Sequence, residues 1–465
     1  MSTQVQALVV GAGISGLTAG YALQKAGIST LVFESAPRPG GVIQSAQRDG
    51  FLLEWGPQSF AGNASLTALC RDLQILDQRL LADPKAPRYV LIDGHLQNVP
   101  MGPGLLASPL MAGGTRSAII RDVLGKSHAL EPDESIADFI RRKFSVTLLD
   151  RLVGPFVSGV YAGDPEKLSL RAAFPILHEA EMASGSILRG MFPVMKQRKA
   201  KRGNLPREKA TLQTFQQGNQ ALTHALANDL GERLVCNAEV TSLAALDHSP
   251  EPKAPRFRVA ARTPRGEESI EAQRLILAVP TNVAGTLLAP LNLGFETQLA
   301  PIEYAGIAVV ALGYRKTDIG DALEGFGFLV PRSSGLSVLG TVWNSSLFPG
   351  RVPEGYALLT SFVGGATNPS ALQKPAEELV ALVHRELTPI LKIRNQPLFS
   401  NVNIVPRAIP QYNLGHTARL AAVEKLRAQF HGLHLVGNYL NGPAVGTCIE
   451  HALKVADEIR VSFAN

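Results

Sequence analysis

Three glycines near the start of the sequence have the spacing of a turn that binds a dinucleotide. Residues 5–10 predict a short buried strand, which leads into Gly11-Ala12-Gly13-Ile14-Ser15-Gly16 and then into a helical pattern. The first glycine allows the tight turn, the second lets the backbone approach a pyrophosphate, and the third lets the helix pack closely on the strand. Because the N terminus of that helix faces the phosphates, we expect residues 11–16 to bind the cofactor.

An acidic residue follows where the ribose of such a cofactor is bound. Residues 29–33 predict a second strand that ends at Glu34, 23 residues after Gly11, and Ser35 comes next. We expect both residues to contact the cofactor, although neither separates NAD from FAD. The next segment, Arg38-Pro39-Gly40-Gly41, resembles the RxGG continuation of the FAD-binding amine-oxidase-like superfamily. This resemblance assigns Gly41 to an FAD site.

A second helix N terminus is predicted near the other end of the sequence. Residues 434–436 predict a strand, and a glycine-rich segment from Gly437 to Gly446 then precedes an amphipathic helix. The free N–H groups of such a helix would stabilise negative charge on the pyrimidine edge of a reduced flavin. We therefore assign Gly437, Val445, Gly446 and Thr447 to the cofactor site.

Two central strands are expected to complete the same sheet. Residues 238–240 are interpreted as the end of a strand that follows Leu234, which assigns Val240 to the cofactor site, and residues 275–279 predict a buried strand that Pro280 ends. The GxGxxG pattern is not repeated, so a separate NAD(P)H domain is not expected. Electrons should leave to O2 or to another acceptor that is not a bound pyridine nucleotide.

The composition restricts the class of protein. The 465 residues are 45% hydrophobic and 18% charged, which fits a folded chain of several substructures. A net charge of +6 without a base-reading motif does not predict nucleic-acid binding. The three cysteines are far apart and predict neither a zinc site nor a disulfide framework, and no metal is expected. No signal peptide is recognisable, so we expect a cytoplasmic protein.

Two segments raise the question of membrane contact. Residues 196–209 carry seven basic residues against one acid, which fits either a solvated loop or contact with anionic lipid. Residues 96–115 are uncharged but contain three prolines and four glycines, so they cannot form a regular transmembrane helix. They could instead lie on a membrane surface or line an apolar tunnel. Peripheral contact with the inner face of the cell membrane is the resulting expectation.

Several longer segments resemble one family across essentially the whole chain. These are VYAGDPEKLS at 160–169, AAFP at 172–175, GFGFLVP at 325–331, LGTVWNSSLFP at 339–349, and AIPQY with GH at 408–412 and 415–416. The sequence is similar to the oxygen-dependent protoporphyrinogen oxidase family, which includes enzymes that accept coproporphyrinogen III. The YAGDP and IPQY segments are far more specific than the glycine motif.

The resemblance implies roles for further residues. Arg88 matches an arginine that pairs with a substrate propionate, and Leu329, Val342 and Phe362 match positions that sandwich the macrocycle. The segment Gly56-Pro57-Gln58-Ser59 matches a turn that passes the flavin, with Gln58 where relatives often have Asn or Arg. No catalytic side chain is implied, because the N5 atom of a non-covalently bound FAD accepts the hydride.

The implied fold is an α/β protein with three parts. A Rossmann-like FAD-binding domain of the glutathione reductase type is expected from residues 1–85, 207–285 and 405–465. A mixed-sheet substrate domain is expected from 86–95 and 286–404, and a helical domain of the membrane-binding type from 96–206. Within the last part, residues 133–152 have helical periodicity, with Asp133 as the expected N-cap.

The implied activity is a six-electron oxidation of protoporphyrinogen IX to protoporphyrin IX in haem biosynthesis, with three O2 reduced to three H2O2. Coproporphyrinogen III as substrate stays open, and so, more remotely, does a flavin amine oxidase or a carotenoid-type desaturase. A flavin carrier without turnover is the alternative from another class. Ferrochelatase or a second copy of the chain is the macromolecular partner that the family suggests.

Overall fold

The computed structural model describes residues 3–100, 102, 104–125, 133–202, 211–246 and 256–464. The strands within these residues are β1 (Thr3–Val10), β2 (Thr30–Phe33), β3 (Ser45–Arg48), β4 (Phe51–Glu54), β5 (Phe60–Ala61), β6 (Arg79–Leu81), β7 (Arg88–Ile92), β8 (His95–Asn98), β9 (Leu212–Phe215), β10 (Leu234–Val235), β11 (Glu239–Ala245), β12 (Phe257–Thr263), β13 (Gly266–Leu277), β14 (Tyr304–Arg315), β15 (Gly327–Leu329), β16 (Val338–Trp343), β17 (Tyr356–Gly364), β18 (Phe399–Pro410) and β19 (Leu433–Leu435).

The α-helices of the described residues connect and cover these strands. They are α1 (Ile14–Lys25), α2 (Ala64–Asp72), α3 (Gly104–Ala107), α4 (Thr115–Leu124), α5 (Ile136–Lys143), α6 (Val146–Leu148), α7 (Gly154–Tyr161), α8 (Leu170–Ala173), α9 (Pro175–Ser184), α10 (Ile187–Arg202), α11 (Gln220–Leu230), α12 (Thr281–Leu288), α13 (Leu293–Leu299), α14 (Asn344–Leu347), α15 (Ala376–Leu391), α16 (His416–Arg427) and α17 (Val445–Ala464). None of these helices is long and apolar enough to cross a bilayer.

The first sheet is parallel at its centre. Strands β10, β2, β1, β13 and β19 lie side by side in parallel, and β12 and β11 continue the sheet antiparallel from the first half of β13. The apolar run of β1 is buried because α1, α11 and α17 pack on one face of the sheet, while α12, α13 and α16 pack on the other. The carboxyl ends of β1, β2, β13 and β19 consequently meet at one edge, where ligands of such sheets bind.

One central strand differs from its sequence prediction. Residues 238–240 were expected to close a strand that follows Leu234, whereas the chain forms β10, turns at Asn237 with a φ of 52°, and begins β11 at Glu239. Val240 therefore lies at the start of an antiparallel strand. Periodicity does not reveal the turn because apolar residues continue on both sides of it.

The second sheet is mixed and carries seven strands in the order β18, β14, β17, β16, β15, β7 and β8. Its pairs are antiparallel except for β15 and β7, which are parallel. One face of this sheet is covered by α15, whose Leu379, Val383 and Leu387 pack into a buried cluster with Phe328 and Trp343. The other face is turned toward the remainder of the molecule.

The predicted long helix over residues 133–152 is wrong in both its start and its length. Ser135, and not Asp133, caps α5 by accepting a hydrogen bond from Asp138 N at 3.0 Å. The helix ends at Lys143 because Phe144 leaves helical geometry, with φ −129° and ψ −105°, and Ser145 then caps a new turn. The side chain of Asp133 instead accepts from Ser169 Oγ at 2.7 Å and from Gly415 N at 3.2 Å.

The helices around α5 enclose a buried charge cluster. Glu181 on α9 has a fully buried side chain, and it pairs with Arg142 and Lys143 of α5 at 2.8 Å each. Lys143 also lies 3.5 Å from Asp122 of α4, so the cluster joins three helices. Burial alone would raise the pKa of Glu181, but the hydrogen bonds from Arg142 and Lys143 outweigh it and hold that pKa below its usual value of 4.5.

Replacing Glu181 by glutamine should destabilise this helical region. The change removes the acid that Arg142 and Lys143 share, which costs about 3 kcal/mol, near the low end for such pairs because Glu134 still pairs with Arg142 and Asp122 still faces Lys143. Since the folded pKa of Glu181 is lowered, its contribution is complete above the usual carboxyl pKa and is lost as the pH falls through the folded value. Urea unfolding at pH 7 and pH 4 should therefore show a larger difference between wild type and variant at pH 7.

The matched control lies on the same helix. Glu179 of α9 pairs with Arg198 at 3.0 Å, but both side chains are 46% exposed. Glu179→Gln should change the free energy of unfolding by less than about 1 kcal/mol, because water screens exposed pairs. An equal effect of the two substitutions would show that the buried cluster contributes no special stability.

Candidate functional site

The turn after β1 has backbone geometry in which each glycine plays a different part. Gly11 has a φ of +98°, and a Cβ there would lie 2.6 Å from Ala278 O. A Cβ at Gly16 would lie 1.8 Å from Gly11 O, so α1 can contact the turn only with glycine at this position. Gly13 is different, because a Cβ there would meet no protein atom within 4 Å. The open space of the turn therefore lies at Gly13.

The acid at the end of β2 is held against this turn. Glu34 accepts a hydrogen bond from Ala12 N at 2.7 Å through Oε2, and from Ala36 N at 2.9 Å through Oε1. Because a carboxylate oxygen can accept two hydrogen bonds, Oε2 keeps capacity for a ribose hydroxyl. The exposed Ser35 points its hydroxyl at Glu34 Oε1 at 3.4 Å, which places both predicted residues at the same end of the strand.

The RPGG segment crosses the open end of the turn. Gly40 N donates to Ala12 O at 2.8 Å, and a Cβ at Gly41 would lie 3.3 Å from Gly13 Cα. Gly13, which was predicted to approach a pyrophosphate, and Gly41, which was assigned to the FAD site, thus lie next to each other. Val240 lies at the far side of Glu34, where Ala238 N donates to Glu34 O at 2.8 Å.

Two helix N termini converge on this edge of the sheet. Helix α17 packs against α1, and Ser15 in the first turn of α1 lies close to Cys448 in the first turn of α17. Gly446 permits this placement, because a Cβ there would lie 2.8 Å from the Asn63 amide that caps α2. Val445 is buried and Thr447 is half-buried beside Gly442, at the end of the segment that starts with Gly437.

Neither α1 nor α17 has an acidic residue in its first turn, and the N-cap of α1, Gly13, has no side chain that could accept from the first N–H groups. The free N–H groups of both helices therefore carry partial positive charge into the space beside Gly13. This arrangement fits an anionic group such as a pyrophosphate, together with a ring system that becomes negative on reduction.

The predicted flavin turn at residues 56–59 is fixed from behind. A Cβ at Gly56 would lie 2.0 Å from Val42 O, and Pro57 O accepts from Asn219 Nδ2 at 2.7 Å. Both ends of the Gln58 side chain are occupied within the protein: Nε2 donates to Glu54 O at 2.8 Å, and Oε1 accepts from Asn344 Nδ2 at 2.8 Å. Gln58 thus joins the turn to the second sheet, while the half-buried Ser59 leads into β5.

A buried ion pair lies beneath this turn. Arg351 Nη1 is 2.8 Å from Glu54 Oε1, and both side chains are at most 2% exposed. Glu54 also accepts from Asn219 N at 3.0 Å and from Ser45 Oγ at 2.5 Å. Burial raises the pKa of Glu54, and the charge of Arg351 acts against that shift. The ion pair therefore connects the loop after α14, which carries Arg351, to the end of β4, which carries Glu54.

The four predicted substrate residues lie on one face of the second sheet. In the register of the strands, Gly327 lies between Arg88 on one neighbouring strand and Val342 on the other. In the same way, Gly340 lies between Leu329 and Phe362. Paired residues point to the same side of a sheet, and so do residues two apart in a strand. The structure therefore brings all four side chains to the face opposite α15.

This face is bounded on one side by a helix and on the other by the flavin turn. A Cβ at Gly159 of α7 would lie 2.3 Å from Leu329 Cδ2, so α7 passes directly over Leu329. At the other side, Asn403 on β18 donates to Trp55 O at 3.0 Å, next to Gly56. The half-buried Arg88 lies with its guanidinium 5.8 Å from the ring of Phe326, at the margin of an otherwise apolar face.

Sequence reasoning missed the amides that hold the flavin turn. Asn219, Asn344 and Asn403 come from distant parts of the chain, and each contacts residues 55–58 through its side chain. No local pattern distinguishes them from surface asparagines. Their pairing partners become visible only when the two sheets are placed together.

The fold and this site define a class: an α/β protein whose glycine-rich turn and two helix N termini meet at the carboxyl ends of a parallel sheet. The model of the family "Flavin containing amine oxidoreductase" matches residues 14–460. Chloroplastic protoporphyrinogen oxidase from Oryza sativa subsp. japonica is 36% identical over 97% of this chain and 87% of its own length. Coproporphyrinogen III oxidase from Staphylococcus aureus is 27% identical over 97% of this chain and 98% of its own length.

A similarity in three dimensions extends over the whole fold. A crystal structure from Exiguobacterium sp. 255-15, provisionally assigned as a protoporphyrinogen oxidase, superposes with a TM-score of 0.79 at 23% identity and covers 99% of both chains. The chain belongs to the flavin-containing amine oxidoreductase family, in the branch of the protoporphyrinogen and coproporphyrinogen III oxidases. It is a flavin-dependent oxidoreductase, as the sequence predicted.

Proposed function

We propose that this enzyme oxidises protoporphyrinogen IX to protoporphyrin IX and passes the electrons to O2. Three two-electron steps remove six hydrogen atoms from the substrate and reduce three O2 to three H2O2. The observation that carries the proposal is the shared sheet face of Arg88, Leu329, Val342 and Phe362 beside the flavin turn. An apolar face with a cation at its margin suits a flat apolar ring that carries a carboxylate.

We further propose that the flavin is FAD and that it is not covalently bound. The acid at the end of β2 and the open turn at Gly13 suit an adenosine and a pyrophosphate. Cys448 is the cysteine nearest to the helix starts, and burial raises the pKa of its thiol to about 11, which disfavours the reactive thiolate. Acid precipitation of the purified protein should release intact FAD into the supernatant.

The residues of the chain act by orientation. The bound flavin supplies the chemistry, because its N5 atom can accept a hydride from a substrate carbon. Leu329, Val342 and Phe362 would hold the macrocycle by apolar contact, and Arg88 would fix its rotation by pairing with a propionate. The α7 helix over Leu329 would exclude water from that side.

The test compares three substrate classes. The value of kcat/KM should be highest for protoporphyrinogen IX, lower for coproporphyrinogen III and negligible for primary amines. A preference for coproporphyrinogen III would favour the activity named for the bacterial relatives, at 26% and 27% identity. Anaerobic mixing with a porphyrinogen should also bleach the flavin, whereas a carrier without turnover would keep its colour.

We also propose peripheral contact of the helical region with a membrane. The two most exposed large apolar side chains among the described residues there are Phe192 on α10, at 81%, and Leu124 on α4, at 76%, and α10 continues into basic residues from Lys196 onward. The predicted segment 96–115 contributes less to this exposed apolar surface, because Leu110 and Met111 are buried, although Leu106 is exposed. Part of the basic segment, residues 203–209, lies outside the described residues.

Binding to anionic liposomes should therefore weaken with salt and with loss of Phe192. Phe192→Ser should reduce the partition coefficient at least about tenfold, because burying a phenylalanine side chain contributes about 1.5–3 kcal/mol. Leu293→Ser is the matched control, since Leu293 is 72% exposed on α13, away from these helices. Liposome flotation at low and high ionic strength makes the measurement. Equal effects of the two substitutions would refute this membrane face.

A further inference from the structure

The two most specific family segments lie against each other in the fold. Tyr412 O accepts from Ser169 N at 2.8 Å, and Leu414 N donates to Lys167 O at 2.9 Å. Gln411, which is 2% exposed, donates through Nε2 to Tyr161 O at 2.9 Å. The YAGDP and IPQY segments are thus joined by backbone and side-chain hydrogen bonds, and Ala162 and Ile409 pack in one apolar cluster with Phe362.

The second of these segments reaches the loop between β19 and α17. The rings of Tyr412 and His416 stack with centroids 4.4 Å apart and planes 12° from parallel. Tyr412 donates its hydroxyl hydrogen to Asn438 O, and His416 Nε2 lies 2.9 Å from Tyr439 O. Two adjacent carbonyls of the loop are therefore held by two stacked rings.

The protonation of His416 is fixed by this contact. A carbonyl oxygen can only accept, so Nε2 carries the hydrogen and donates it. Burial lowers the pKa of His416 to about 4, so the ring is neutral at pH 7. The side chain is 3% exposed and Tyr412 is 2% exposed, which leaves little room for either ring to move.

We propose that Tyr412 and His416 are positioning residues for the cofactor. They fix the loop from Gly437 to Gly442, and with it the N terminus of α17, against the pyrimidine edge of the flavin. This role rests on the proposed binding of FAD. Because the free N–H groups of α17 stabilise negative charge on the reduced ring, a displaced loop makes reduction less favourable and binding weaker.

The test measures the flavin midpoint potential and the dissociation constant of FAD. Tyr412→Phe keeps the stacked ring and removes the hydroxyl, while His416→Phe keeps a ring and removes the N–H donor. Each should shift the midpoint potential to a more negative value and raise the dissociation constant about fivefold, the effect of one net hydrogen bond. His416→Gln retains an N–H donor and should recover most of the potential.

The chain offers a matched control in another tyrosine–histidine pair. The hydroxyl oxygen of Tyr314 lies 3.0 Å from His384 Nδ1, and the two rings are stacked. This pair lies on the sheet face that α15 covers. Tyr314→Phe should leave the potential and the affinity for FAD unchanged. Wild-type values in Tyr412→Phe and His416→Phe would overturn the positioning role alone. Absence of FAD binding by the wild-type protein would overturn the proposed cofactor, and this inference with it.

Discussion

Replacing Gly13 by valine should abolish flavin retention without harming the fold. Gly13 has φ −68° and ψ 177°, a conformation open to any residue, and a Cβ there meets no protein atom within 4 Å. The new side chain would instead fill the space facing Gly41, where the pyrophosphate is expected. Losing two charge-assisted hydrogen bonds of about 1.5–3 kcal/mol each should weaken binding more than about 100-fold.

The measurement pairs the ratio of flavin to protein with the thermal stability of the apoprotein. Gly13→Val should be colourless, with an apoprotein melting temperature close to that of wild type. Gly16→Val is the contrasting variant, because its Cβ would lie 1.8 Å from Gly11 O and the turn itself could not form. A Gly13→Val protein with full flavin occupancy would contradict the assignment of this turn to the cofactor.

Arg88→Ala should reduce kcat/KM for the porphyrinogen by about 10- to 150-fold, mainly through KM. A charged hydrogen bond contributes about 1.5–3 kcal/mol, and without it a propionate at the margin of the apolar face loses the positive partner that Arg88 supplies. Flavin content should not change, because Arg88 lies on the second sheet. Arg88→Lys should recover only part of the loss, since an ammonium keeps the charge but not the two-pronged geometry.

The control for this prediction removes a different arginine from the same sheet. Arg315 is exposed at the end of β14, far along the sheet from β7, and Arg315→Ala should leave the kinetics unchanged. Steady-state kinetics on all three variants, with flavin content measured in parallel, make the test. Wild-type kinetics in Arg88→Ala would place the propionate elsewhere, and loss of flavin would make Arg88 a structural residue.

The flavin fold was predictable because its signals are local. The glycine spacing, the strand before it and the acid after the second strand are all set by the geometry of one βαβ unit, which is the same wherever that unit occurs. The resemblance of longer segments then identified the family, which the comparisons confirm. The assignment of individual residues to FAD and substrate stays a prediction that the variants above can decide.

The features that escaped prediction depend on partners distant in sequence. Asp133 looked like a helix cap, but its carboxylate is engaged by Ser169 and Gly415, and no local pattern shows such a contact. The apolar periodicity of α5 continues past Phe144, so the break there was invisible. Likewise, Gln58 could be placed in a turn from its neighbours, but its link to Asn344 required both sheets.

The pairing of α1 with α17 sets an order of events during synthesis. Helix α1 starts at Ile14 and α17 at Val445, so the ribosome must synthesise all the residues between them before the two helix starts can lie side by side. At about 5–20 residues per second, the nascent β1–α1 unit waits roughly 20 to 90 seconds for its counterpart. Stable capture of the cofactor should consequently await the synthesis of α17, and yellow colour would report a chain in which α17 has docked on α1.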